Sequence, residues 1–174
     1  MNDRAAPYVL AAGDSRRDEA ILPFKALAGD TGGLLSACGF TLGGWESGPV
    51  LHMHDAVDEA FYVVRGKLEA QLGGERVQVE AGGFLWVPRG TAHSFANAGP
   101  DPVHVLALAL PGGVEELFAE QAAYLSSVQG PPDPAVLGEI GTRHGAPTLG
   151  PPIRSKDAPP EDGAGTASRI SSST

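Results

Sequence analysis

The chain has 174 residues, 42% of them hydrophobic, and a formal net charge of -9. That length supports one core of ordinary size, whereas two full domains would each be marginal. The 12 Lys and Arg are scattered without a cluster, which argues against nucleic acid as a partner, and no stretch approaches the roughly 20 apolar residues that a bilayer crossing needs.

The first segment, Met1 to Ala20, carries Asp3, Arg4, Asp14, Arg16, Arg17 and Asp18 and lacks the continuous apolar run of a signal peptide. Residues 1–30 read as an irregular N-terminal arm. Its one apolar piece, Ala20 to Ala28, is interrupted by Pro23, so it suits an edge strand better than a helix. Glycine at 24 and proline at 15 favour an all-β body of short strands and tight turns.

From Gly33 onward the expected strands are Leu34–Leu42, Val50–His54, Ala60–Val64, Lys67–Leu72, Arg76–Val79, Phe84–Val87, His93–Asn97 and Val103–Leu110, separated by Gly, Pro or Asn. Gly73-Gly74 between two alternating runs marks a hairpin. Val103–Leu110 is apolar almost throughout, the composition of a strand covered on both faces. These elements place eight short strands, an all-β body, over residues 31–111.

Cys38 is the only cysteine. No internal disulfide can form, and a cytoplasmic location is the simplest expectation. It lies in an apolar run and is expected to be a small buried hydrophobe without chemistry.

Beyond Pro111-Gly112-Gly113, Val114, Leu117, Phe118, Gln121 and Leu125 form a one-sided stripe at helical spacing. A second helix is signalled by Asp133 as cap, Pro134 at the first helical position, Val136, Leu137 and Ile140 as its apolar stripe, and Gly145 past its end. Residues 112–150 are therefore expected to form a helical cover whose apolar side chains are packing. Residues 151–174 are poor in large apolar residues and read as a disordered tail.

Three of the five histidines fall at strand edges together with a carboxylate: His52, His54, Glu59 and His93. Residues two apart on a strand point to the same side, so His52 and His54 can meet a common point, and Glu59 after a short link can enter the same space. Three imidazoles and a carboxylate suit a divalent transition metal rather than calcium or magnesium. On a six-coordinate ion they leave about two positions for water or substrate. His104 and His144 have no such company and are expected to be structural or solvent-facing.

The spacing around these four residues extends into two motifs. His52-x-His54 is followed by four residues, Glu59, six residues and Gly66; then come Gly82, five residues, Pro88, one residue, Gly90, two residues, His93, three residues and Asn97. This resembles both sequence motifs of the cupin family, in which the two histidines, the glutamate and the later histidine bind metal. One position differs: where the family usually has glycine six residues before the first histidine, this chain has Glu46 between Gly44 and Gly48, and the turn entering the strand is expected to be shifted.

The resemblance implies an all-β cupin double-stranded β-helix, a jelly-roll β-barrel over residues 31–111, with one or two C-terminal helices. It implies His52, His54, Glu59 and His93 as ligands of one divalent ion, Fe, Ni, Co, Mn or Zn. Alternation then places Phe61 and Val63 with Glu59, and Phe95 with His93, on the ligand side. Phe61, Phe95 and, from the strand before Pro88, Trp86 are thus candidate substrate-binding residues in an apolar cavity.

Within the family the layout is similar to the single-domain quercetinase-like dioxygenases, including Pro-Gly-Gly and an acidic helix after the last strand. That likeness implies a dioxygenase acting on a small chelating substrate of flavonol, enol or diketone type, with dioxygen as co-substrate and Glu59 as catalytic base. Two alternatives stay open: a non-redox cyclase or isomerase of natural-product assembly, and a sensor that captures a small ligand unchanged. No helix-turn-helix precedes the barrel to read DNA. Many relatives form homodimers through the amino-terminal strand, a role open to Ala20–Ala28.

Overall fold

A computed structural model describes residues 5–17 and 21–160. Its strands are β1 (Phe24–Ala26), β2 (Ser36–Leu42), β3 (Val50–His52), β4 (Asp58–Arg65), β5 (Lys67–Leu72), β6 (Glu75–Glu80), β7 (Phe84–Val87), β8 (His93–Asn97), β9 (Val103–Leu110) and β10 (Thr148–Pro152), with helices α1 (Ala28–Thr31), α2 (Glu115–Ser127) and α3 (Pro134–Arg143). They form two five-stranded sheets, ordered β1-β2-β9-β4-β7 and β10-β3-β8-β5-β6. Every pairing is antiparallel. This is the expected mostly-β double-stranded β-helix.

The period of two decides which side chains enter the space between the sheets. On β9 the buried residues are Val103, Val105, Ala107 and Ala109; the first three share one core with Phe61 and Val63 of the adjacent β4 and with Leu68 and Ala70 of β5 in the other sheet. Fully burying an aliphatic or aromatic side chain of this size contributes about 1.5–3 kcal/mol. The turn from β4 to β5 depends on Gly66, which has φ 83° and lies so close to β9 that a Cβ would stand 2.8 Å from the Pro102 carbonyl oxygen.

Expectation and structure differ in four places. Leu106 on β9 is 37% exposed, while His104, Leu108 and Leu110 are half-buried, so the outer face of that strand is only partly covered. Its outer neighbours Tyr62, Phe84 and Trp86 are also exposed, because the helices lie elsewhere. Residues 112–150 do more than cover: they end in β10, which pairs with β3 and becomes an edge of the second sheet.

The segment after Pro151 is ordered as far as the described residues extend. Ile153 and Ser155 are buried, and the Ser155 hydroxyl donates to Glu69 at 2.9 Å; residues 161–174 lie outside the described residues. The arm is also more than irregular. β1 lies within Ala20–Ala28 and pairs with β2, and α1 straddles the expected boundary at residue 30. Tyr8 and Arg16 fasten the preceding chain: the Tyr8 hydroxyl donates to the Lys25 carbonyl at 2.8 Å and Arg16 pairs with Asp30 at 2.6 Å.

α2 carries its apolar stripe inward, and Phe118 packs on Phe24 with ring centroids 5.9 Å apart. Its first turn is anchored by buried Glu115, whose carboxylate accepts from the Ser36 hydroxyl, the Ala28 amide (2.7 Å) and the Gly113 amide (3.1 Å). α3 begins as its cap and proline suggest, with Asp133 accepting from the Ala135 amide at 2.9 Å. Leu117 and Ile140 join the two helices in a small core of their own. Among the described residues no helix is long and apolar enough to cross a membrane.

Candidate metal centre

The two sheets bring His52, His54, Glu59 and His93 together. His52 at the end of β3 is paired directly with His93 at the start of β8, which puts both imidazoles on the inner face of the second sheet. His54 follows β3, and Glu59 enters from β4 in the opposite sheet. One potential ligand atom from each lies within 4.8 Å of the others. Metal–nitrogen and metal–oxygen bonds of about 2.0–2.2 Å put two ligands of one ion up to roughly 4.4 Å apart, so a small contraction suffices.

Backbone carbonyls set the imidazole tautomers. His52 Nδ1 lies 2.8 Å from the Val50 carbonyl oxygen, and His93 Nδ1 lies 3.0 Å from that of Thr91. A carbonyl only accepts, so each Nδ1 carries the proton and each Nε2 presents a lone pair. The loop carrying Pro88 and Gly90 is held in place by Arg89, which pairs with Asp58 at 2.7 Å. The Gly90 amide in turn donates to the His54 carbonyl at 2.7 Å.

Burial and neighbouring charges tune the group. Burial, followed by nearby His93 and His54, pushes the His52 imidazole down to about 4, so it is neutral at physiological pH. Burial also lowers His54. For Glu59 burial acts upward, but the close His93 and the electrostatic influence of the neighbouring histidines outweigh it and hold the carboxyl below its usual range. His93 is raised: burial opposes its charging, and the adjacent Glu59 carboxylate prevails.

Glu59 Oε2 and His93 Nε2 approach to 2.8 Å, yet the angles do not make a hydrogen bond, and both buried atoms lack a partner. Unpaired buried polar atoms are costly and uncommon. Two such atoms converging with two more imidazoles fit a cation at their common point. The donor set of imidazole nitrogens and a carboxylate oxygen matches a divalent transition metal.

Phe61 and Phe95 line a cavity of about 510 Å³ that opens from these four residues. Their ring centroids are 5.3 Å apart. Trp86 does not line it. It pairs with Ala60 on the outer face of β4 and is 48% exposed, because the inward positions of β7 belong to Leu85 and Val87. Sequence reading missed Phe40, which stacks on Phe95 at 5.1 Å and lines the cavity; continuing the alternation of β2 from Cys38 points to it.

Side chains read as helix packing, Phe118 and Leu137 among them, also line the cavity. In the turn that enters β3, Trp45, just before Glu46, adopts φ 59°, and Glu46 accepts from the Gly43 amide at 2.5 Å. Gly48 lies against Phe95, where a Cβ would come within 2.6 Å of the ring. His104 and His144 stay away from the centre, bonded to Thr41 at 2.9 Å and Glu120 at 2.7 Å.

Residues 40–109 match the family model described as Cupin domain. Quercetin 2,3-dioxygenase of Bacillus subtilis (strain 168) is 33% identical over 92 residues, 51% of this chain and 27% of that protein. An uncharacterized protein of Methanocaldococcus jannaschii, MJ1618, is 29% identical over 62 residues, 36% of this chain and 50% of that one. This chain thus spans half or less of the length of these two relatives. A solved cupin protein from Bacteroides fragilis superposes with a TM-score of 0.49 at 17% identity, over 75% of this chain and 92% of its own. The segment from β2 to β9, which contains the His/Glu cluster held between the two antiparallel sheets, is thus similar to the Cupin domain family.

Proposed function

We propose that the chain is a metal-dependent dioxygenase acting on a small organic chelator of flavonol, enol or diketone type. The observation that carries this reading is the pair of unpartnered buried atoms, Glu59 Oε2 and His93 Nε2, at the wall of an apolar cavity. His52, His54, Glu59 and His93 would hold the ion. When bound, it supplies Lewis acidity that lowers the pKa of a chelating hydroxyl and, if redox-active, a route for electrons to dioxygen.

The residues themselves do the rest. Glu59, whose carboxyl the adjacent His93 favours in its ionised form, takes the hydroxyl proton at a carboxylate oxygen and so serves as both ligand and general base. The Nδ1–H bonds to the Val50 and Thr91 carbonyls keep His52 and His93 from rotating. Phe61 and Phe95 exclude water and offer ring faces to a planar substrate.

The test supplies iron-, nickel-, cobalt- or manganese-loaded protein with flavonols and diketones while oxygen uptake is followed. Consumption dependent on both metal and substrate is expected, and none with any combination contradicts the proposal. Turnover that continues under strict anaerobiosis would instead assign the site to a non-redox cyclase or isomerase.

A further inference from the structure

The cavity is larger than a metal centre requires, and its far wall belongs to this chain's own C-terminal hairpin. Phe118 and Leu125 of α2 and Leu137 of α3 line it, and all three lie beyond the matched segment 40–109. At about 510 Å³ it falls within the range that encloses a drug-sized molecule. Ile21, Val50 and Leu125 line it while being 37–46% exposed, so apolar side chains also border its approach from solvent.

The chemistry of the wall is one-sided. Among the described residues lining the cavity there is no lysine, arginine, tyrosine or tryptophan, and Glu59 is the only carboxylate. Of the lining polar side chains outside the four-residue cluster, Ser36 is engaged with Glu115 and Thr41 with His104, which leaves Ser47, Thr148 and Gln121 to meet a ligand. Away from the four-residue cluster a phosphate or second carboxylate would be buried without a cationic side chain, and a body with many hydroxyls would outnumber the polar partners left; both cost affinity. An apolar body loses nothing against Phe40, Phe95 and Phe118.

We propose that the ligand of this cavity is a neutral molecule with a chelating oxygen pair at one end and an apolar, largely unhydroxylated body, and that α2 and α3 select that body through Phe118, Leu125 and Leu137. Only the chelating end rests on the dioxygenase reading and its metal. The wall disfavours sugar phosphates, small diacids and polyhydroxylated rings.

Calorimetric titration of the full, cobalt- or nickel-loaded chain tests this with five probes. 3-Hydroxyflavone and dibenzoylmethane present apolar bodies; quercetin adds phenolic hydroxyls to the first, and acetylacetone keeps the chelating head of the second without its rings. The apolar pair should bind at least tenfold tighter than quercetin and acetylacetone, and mannose 6-phosphate should not bind measurably. Leu137→Trp, and Leu125→Trp at a partly exposed position that folding tolerates, should each weaken dibenzoylmethane at least tenfold while metal content stays at the wild-type level.

Quercetin binding as tightly as 3-hydroxyflavone, sugar-phosphate binding of similar strength, or no effect of either tryptophan would overturn the inference. Tight, selective binding without oxygen uptake sinks the dioxygenase reading and leaves this inference standing. Oxygen uptake with quercetin preferred does the reverse.

Discussion

Cys38 and His52 line the same cavity, and burial acts on both in ways that suit opposite roles. For His52 it depresses the pKa to about 4, which keeps a neutral ring nitrogen available as a ligand. For Cys38 burial, reinforced by the Glu59 charge, pushes the thiol up to about 12, so it remains a protonated, inert group. Cys38 should therefore resist a thiol-specific disulfide reagent at pH 8 in the folded protein and react fully on unfolding; rapid reaction in the native state would refute that environment. Cys38→Ser should keep its metal, since the sulfur stands outside the four-residue cluster. The cluster itself was readable because its members are unusual residues at fixed spacings. The carbonyls of Val50 and Thr91 that orient two of them were not, since every residue has one.

Buried carboxylates away from the metal site fasten whole segments. Glu69 on β5 is fully buried and accepts from Arg76 at 2.7 Å, Gln78 at 3.3 Å, the Ser155 hydroxyl at 2.9 Å and the Lys156 amide at 3.2 Å. Burial acts to raise its pKa, but these hydrogen bonds prevail and lower it. A depressed carboxyl pKa stabilises the fold above the ordinary glutamate range, and that contribution is lost as pH falls through the folded value. Acidification, or Glu69→Gln at neutral pH with a loss of about 1–3 kcal/mol, should speed hydrogen exchange at the Lys156 amide; unchanged exchange would contradict the clamp. At α3, Asp133→Ala removes the cap on Ala135 and should cost about 1 kcal/mol, seen as a drop in Tm of a few degrees with no change in metal content.

Strand identity was well encoded by alternation and punctuation: β5, β7, β8 and β9 have the expected bounds. What composition hid were elements defined by their partners. Thr148–Pro152 contains two prolines and a glycine, a poor strand by propensity, yet it pairs with β3 at the edge of the second sheet. The segment after it reads as tail because its anchors are a lone buried isoleucine, Ile153, a serine hydroxyl and a backbone amide rather than a run of large apolar side chains. Trp86 was misassigned for a related reason: an aromatic beside the proline of a metal-binding motif invites an inward reading, while the register Glu59↔Val87 and Ala60↔Trp86 turns it outward.

The two sheets, the helical hairpin and the four converging side chains make one prediction together, that this barrel holds a transition metal at His52, His54, Glu59 and His93. Elemental analysis of the purified chain after loading and exhaustive dialysis, with His54→Ala and His93→Ala alongside, tests it. The wild type should retain a single ion per chain, and each variant should lose most of it while keeping the wild-type circular dichroism spectrum. Full occupancy in both variants would contradict the site.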